Sequence, residues 1–300
     1  MDQTREAALQ NLLIVPDNRA DDRGDGTPAT LSGGAWISAR PLSNLLDPRF
    51  LLTAQSDGLD EGATRFTIDY GALTDLRVCV LLGSMSKVAS LTRVISLDPA
   101  GNEVLHTSGP TDWCPPIGGA FDRPRADPSW GHGRISDREL RQYPRWFWHD
   151  VAPEPVLGRY EHIVISDPTN PAGSVTLARA WTGGGWQTSV PASFQCEWGW
   201  EDLSKVRTLL SGRTDADHGP RRRTMTVPIE GLPEAEAMRD VYDMVGRVGR
   251  SRQLYVSFNP MESRDRHRRS GLATLARLPA STLARHDWVD TTFQFIEEVA

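Results

Sequence analysis

The sequence predicts a predominantly β protein: a jelly-roll β-sandwich followed by a smaller β-rich domain with one α-helix. Three observations carry this prediction. Short apolar or alternating runs recur between turn signals, a single stretch has clear helical periodicity, and the βαβ alternation of a doubly wound sheet is missing. A chain of 300 residues has room for two domains.

The strands follow in order. Phe66, Ile68 and Tyr70 alternate with Arg65, Thr67 and Asp69 until Gly71 ends the run. Residues 77–82 form a near-continuous apolar run suited to a buried strand, and 91–97 follow after Gly83-Ser84. Residues 160–165 and 175–181 make a further pair around the turn Asp167-Pro168-Thr169-Asn170-Pro171. In the last third, 223–229, 254–258, 272–278 and 288–296 all read as strands. The helix is predicted at 233–249, where Met238, Val241, Tyr242, Val245 and Val248 share one face. Pro233 suits its first turn, Glu234 and Glu236 its positive end, and Gly249 its stop. A shorter helix is expected around 136–142.

Segment 110–157 breaks this rhythm. It is rich in proline and holds Trp113, Trp130, Trp146 and Trp148, four of the chain's ten tryptophans. So much aromatic area must be buried against something, in this subunit or a neighbour. The polar stretch 204–217, ending in His218-Gly219-Pro220, marks the domain break. The expected organisation is a jelly roll over 1–203 with an insertion at about 110–157, then an α+β domain over 204–300.

Charge and cysteine usage exclude several classes. A net charge of −6 argues against nucleic acid as the main partner, and no apolar run is long enough to insert in a membrane. Cys79, Cys114 and Cys196 are odd in number, far apart and without a CxxC, which disfavours a disulfide framework and a zinc site. The Met1–Glu6 segment carries no secretory-signal pattern, so synthesis in a reducing compartment is expected. Residues 1–109 net −5, 110–203 net −4 and 204–300 net +3, a gradient suited to head-to-tail packing of subunits in a ring.

Each catalytic or ligand motif is incomplete. Ser84-Met85-Ser86-Lys87 fits S-x-x-K, but the companion S-D-N and K-T-G are missing and the motif falls between strands. Asp21–Gly26 half-matches a calcium loop, with Arg23 at a ligand position and Ser32 where a glutamate belongs. Arg23-Gly24-Asp25 spells an adhesion tripeptide, and 24–29 fit a loosened dinucleotide fingerprint without its strand; both read as a polar turn. Asp215, Asp217 and His218 read as a solvated acidic patch. The arginine runs 221–223 and 264–269 read as subunit contacts or solvated loop. No catalytic, cofactor or metal residue is assigned. The strongest local feature is aromatic: Trp130, His132, Arg145, Trp146 and Trp148 are candidate glycan or subunit contacts, because a sugar face packs on a ring while flanking polar groups hydrogen-bond.

Specific residues carry a resemblance. Asn11-Leu12-Leu13, the run from Leu31 to Trp36, 41–48, 64–71 with Asp69-Tyr70-Gly71, and 81–93 resemble the opening of discoidin-like, galactose-binding-type jelly rolls found in bacteriophage tail proteins. The turn Asp167–Pro171 and the segment Trp181-Thr182-Gly183-Gly184 continue it. An arginine-rich strand (221–229), a helix with Tyr242-Asp243, a strand ending Asn259-Pro260 and the closing Ile296-Glu297-Glu298 are similar to the C-terminal part of the same group. The resemblance covers roughly 11–109 and 158–300. Leu177-Ala178-Arg179-Ala180-Trp181 departs from it, since an aliphatic-Gly-Arg precedes the aromatic in that group.

The resemblance implies a cofactor-free virion protein of the distal tail or baseplate, made in the bacterial host cytoplasm. Its partners would be copies of itself, in a ring or collar joining the tail tube to host-recognition proteins, and other tail proteins. The alternative is a tail module binding host-surface glycan; a cell-wall hydrolase is the third expectation.

Overall fold

The computed structural model describes residues 9–116, 125, 133–136, 140, 146–208, 213–262 and 265–298. The fold is mainly β, in two compact units. One comprises Met1–Pro16, Trp186–Pro260 and Arg269–Ala300; the other comprises Asp17–Gly185 and Met261–Arg268. The first strand, β1 (Leu13–Val15), belongs to the former.

The Asp17–Gly185 unit is a sandwich of two antiparallel sheets. Its strands are β2 (Thr30–Ser32), β3 (Ala54–Gln55), β4 (Phe66–Asp75), β5 (Val78–Ser84), β6 (Ser90–Ser96), β7 (Val104–Thr107), β8 (Thr111–Asp112), β9 (Trp146–Val151), β10 (Leu157–Ser166) and β11 (Thr176–Gly183). One sheet runs β2-β4-β10-β6-β7 with β8 also on β6, and the other runs β3-β11-β5-β9. The chain crosses between the sheets again and again, in the jelly-roll manner. The predicted alternation is realised: Phe66, Ile68 and Tyr70 of β4 and Ile163 and Ile165 of β10 point into a core shared with Cys79 and Leu81 of β5.

One tight approach fixes the route into this sandwich. Gly34 has φ +69°, and a Cβ there would lie 2.3 Å from the Arg65 carbonyl oxygen and 2.5 Å from that of Ala63. Left-handed strain and a clash with two backbone oxygens act together. Gly34→Ala is expected to cost roughly 3 kcal/mol or more, read as a lowered urea midpoint of the sandwich transition.

The other unit is built on one sheet. Its later strands are β12 (Trp186–Gln187), β13 (Glu197–Asp202), β14 (Lys205–Thr208), β15 (Thr214–Asp217), β16 (Arg221–Pro233), β17 (Leu254–Ser257), β18 (Ser270–Arg277), β19 (Ser281–Arg285) and β20 (Trp288–Glu297). The order is β12-β1-β17-β18-β20-β16-β13, with β19 on β20, while β14 and β15 pair with each other. Val289, Phe293 and Phe295 alternate inward on β20, and the Phe293 and Phe295 rings stack at 5.6 Å.

Two expectations change. The domain break does not fall at 203/204; the units part at 16/17 and 185/186, and again on either side of Met261–Arg268. The reason is strand pairing: Leu13 and Ile14 pair with β12 and β17, and β13 pairs along its length with β16. The sandwich is therefore inserted after the first strand of the other unit. The predicted helix is present as Glu234–Glu236, a π-helical Ala237–Tyr242 and Asp243–Val248. Its buried face is Ala237, Val241, Met244 and Val248, so Met238 and Tyr242 point outward. Val241 and Val248 keep their predicted inward places, while small Ala237 and flexible Met244 fill the contact in place of Met238 and Tyr242.

Candidate functional site

Trp130, His132 and Arg145 lie outside the described residues, as does most of 136–142. Trp146 and Trp148 sit on β9, which pairs with β5, and both are core residues. Trp148 is fully buried and its indole Nε1 donates to Thr111 Oγ1 at 2.8 Å. Trp146 Nε1 donates to the Trp113 carbonyl at 2.7 Å, and its ring stacks on His267 at 5.1 Å. These two rings cannot act as a surface platform. Their apolar area closes the sandwich, so both flanks of the 110–157 segment belong to the jelly roll itself.

The most concentrated chemistry in the sandwich is a buried polar network. Arg93 and Glu161 take inward positions on the adjacent strands β6 and β10, among Leu91, Ile95 and Ile163. Arg93 Nε donates to Glu161, Nη1 reaches Asp150 on the opposite sheet at 2.9 Å, and Nη2 donates to the Leu76 carbonyl at 2.6 Å. Tyr70 donates to Glu161 at 2.6 Å and lies 2.6 Å from Thr182 Oγ1 of the facing sheet. His106 Nε2 sits 2.9 Å from Asp150. Burial opposes ionisation of Asp150, yet the His106 hydrogen bond and the Arg93 charge outweigh it and hold the carboxyl below its ordinary range. Burial and the Glu161 charge push the Tyr70 phenol well up. The network joins the two sheets, and its charges are saturated by one another.

The other sequence motifs have structural employment. Ser86 donates its hydroxyl to Asp167 and its N–H to the same carboxylate at 2.9 Å, which ties the S-x-x-K loop to the 167–171 turn. In the acidic loop, Asp21 pairs with Arg179, and Asp22 accepts the N–H groups of Gly24 and Gly26 at 2.8 and 2.9 Å. Asp25 accepts the Thr27 N–H at 2.9 Å, and Arg23 folds back onto Asp25 at 3.3 Å. Burial pushes the Cys114 thiol up to about 12 and raises Cys79 well above its ordinary value, so neither is an activated nucleophile. Among the described residues no group of three or more His, Cys, Asp or Glu side chains is arranged to hold a metal ion.

The arginine run 221–223 lies on strand β16, not in a loop, and each member has an acid on a neighbouring strand. Arg221 pairs with Asp202 at 3.1 Å, Arg222 with Glu201 at 2.8 Å, and Arg223 with Glu297. Arg207 pairs with Asp215 at 2.8 Å, which uses one member of the Asp215–Asp217–His218 patch.

Among the described residues β13 ends its sheet and β14 pairs with β15 alone, so residues 197–208 present a strand edge with no described neighbour. Trp200 (55% exposed) and Val206 (67%) lie on it, with Phe194 (96%) just before. Trp198 is held by edge-to-face contact with Phe258 and by the Arg269 guanidinium 4.8 Å over its ring. Trp198-Gly199-Trp200 flanked by acids was the available signal: rings at alternate strand positions with no apolar partner run.

No protein-family model matches the chain, and no curated protein matches it. Among solved structures, CBM32-1 from a family 31 glycoside hydrolase of Clostridium perfringens is similar at 14% identity and a TM-score of 0.34, over 52% of this chain and 93% of that one. The family 32 CBM of NanJ from C. perfringens, solved with galactose, is similar at 9% identity and a TM-score of 0.34, over 57% and 98%. The lectin domain of Lectinolysin, solved with Lewis B antigen, is similar at 10% identity and 0.31, over 51% and 91%. Likeness at this level assigns no ligand and no activity.

Proposed function

We propose that the protein is a structural component of a phage tail, at the distal tail or baseplate, whose β1/β12–β20 unit assembles with copies of itself into a ring or collar. The sandwich is then a displayed module on that scaffold, and the working protein sits in the virion. The observation that carries this reading is the strand edge of 197–208 together with its charges. Within the arm formed by β13, β14, β15 and the start of β16, Asp202 faces Arg221, Lys205 faces Asp217 and Arg207 faces Asp215. Side chains on a strand stand above and below the sheet, so they serve a neighbour on either edge equally. The outer edge of 197–208 in one copy can therefore take the outer edge of β15 and the first residue of β16 in the next with the same pairs, a head-to-tail addition that closes into a ring.

The test is solution mass by light scattering at micromolar concentration. The wild-type chain is expected as a closed multimer, Lys205→Glu/Arg207→Glu as a monomer, and further Asp215→Lys/Asp217→Lys exchange is expected to restore the multimer. A wild-type monomer, or a multimer indifferent to these charges, overturns assembly through the arm. Capture of host-surface carbohydrate by the sandwich is the second reading, favoured by its having its own core cluster, drawn wholly from the chain between β1 and β12. It predicts retention on host polysaccharide by the monomeric charge variant as well as by the wild type.

A further inference from the structure

We infer that the unit built on β16, β19 and β20 carries a saccharide-binding cleft, formed by Glu230, Arg285, Trp288 and Asp290. The cleft has a volume of about 390 Å³, within the range that holds a small ligand, and Gly231 and Ala284 complete its lining. Backbone irregularities on two strands build it. β16 slips against β20 between Ile229 and Leu232, and β19 slips against β20 between Leu283 and Arg285. Such bulges re-aim side chains out of the sheet pattern. Gly231, at φ +71°, turns within the first bulge, and its N–H donates to Asp290 Oδ1 at 2.9 Å, which orients that carboxylate.

The side chains here are uncommitted, unlike those of the arm. Arg221, Arg222 and Arg223 all have acidic partners, whereas among the described residues the Arg285 guanidinium, the Glu230 carboxylate and the second oxygen of Asp290 have none. Trp288 is 45% exposed. The chemistry of this set selects among ligands. A phosphate would meet two carboxylates, and an apolar ligand would bury them unpaired. A cation would meet Arg285. A neutral polyol satisfies all of them: its hydroxyls donate to Glu230 and Asp290 and accept from Arg285, while its C–H face lies on the indole.

This site is separate from the arm and from the sandwich, so it stands or falls independently of the assembly proposal. The experiment is saturation-transfer difference NMR on the full chain with methyl glycosides of glucose, galactose and N-acetylglucosamine, and with arginine amide as the cationic control. At least one glycoside is expected to receive saturation, with affinity falling about tenfold or more in Trp288→Ala and in Glu230→Gln. Both side chains lie at the surface, and an unchanged melting temperature checks that the variants fold. No transfer to any glycoside, or transfer that survives both substitutions, overturns the proposal. Binding of arginine amide alone overturns it in favour of a site for a basic side chain.

Discussion

Replacing Glu161 with glutamine is expected to lower the unfolding free energy of the sandwich by about 3–5 kcal/mol, measured by urea titration. The substitution removes the charge that faces Arg93 while leaving its shape. Arg93 is fully buried, and its guanidinium would then be held by Asp150 and two backbone carbonyls alone. With one of its two carboxylates gone the buried guanidinium is only partly compensated, and that shortfall costs more than the intact pair contributes. The double variant Arg93→Met/Glu161→Leu should recover part of the loss. Recovery stays incomplete because Asp150 and the Leu76 and Arg77 carbonyls lose their donor. The pair has a companion in acid. Asp150 is depressed in the folded state, so its contribution is full above the ordinary carboxylate range and disappears as pH falls through the depressed value. Asp150→Asn should remove that part of the acid dependence.

The Trp148→Ala variant is expected to lose about 3–5 kcal/mol in the same measurement. Its ring is enclosed between the sheets, and its removal leaves a cavity and takes away the donor to Thr111 Oγ1, which keeps its own bond to the Leu91 carbonyl at 3.1 Å. Trp148→Phe keeps most of the buried area and should cost only about 1–2 kcal/mol. A surface stacking role would give the opposite pattern, lost ligand binding at unchanged stability.

The strands were legible because their signal is local. Alternation at 66–70 and the apolar run at 77–82 depend only on neighbours in sequence, and both strands form at those places. The insertion was not legible, since pairing of Leu13 and Ile14 with residues near 187 and 256 leaves no trace in either segment. Trp146 and Trp148 show the limit for sites. A tryptophan beside arginine and histidine reads equally as platform or core until the partner strand β5 is known. Arg93 and Glu161 were hidden for the converse reason: charged residues inside apolar strands look like the solvent face, and only the opposing sheet with Asp150 and Thr182 makes them inward. The cleft at Trp288 depends on two register slips, and slips have no sequence signature here.

The nesting of one unit within the other sets an order of events during synthesis. β1 leaves the ribosome ahead of its partners β12 and β17, which follow about 170 and 240 residues later. At roughly 5–20 residues per second, that strand waits on the order of ten seconds or longer before either neighbour exists. By Gly185 the jelly roll has all its strands and its core cluster in hand; of its unit only Met261–Arg268 is still to come. It therefore folds first and draws residues 17 and 185 together, through the hydrogen bonds of Asn18 with Ala180 and Thr182. The long loop between β1 and β12 is closed by a folded body rather than by free chain, and most of the entropic cost of that closure is met before the second sheet begins to form.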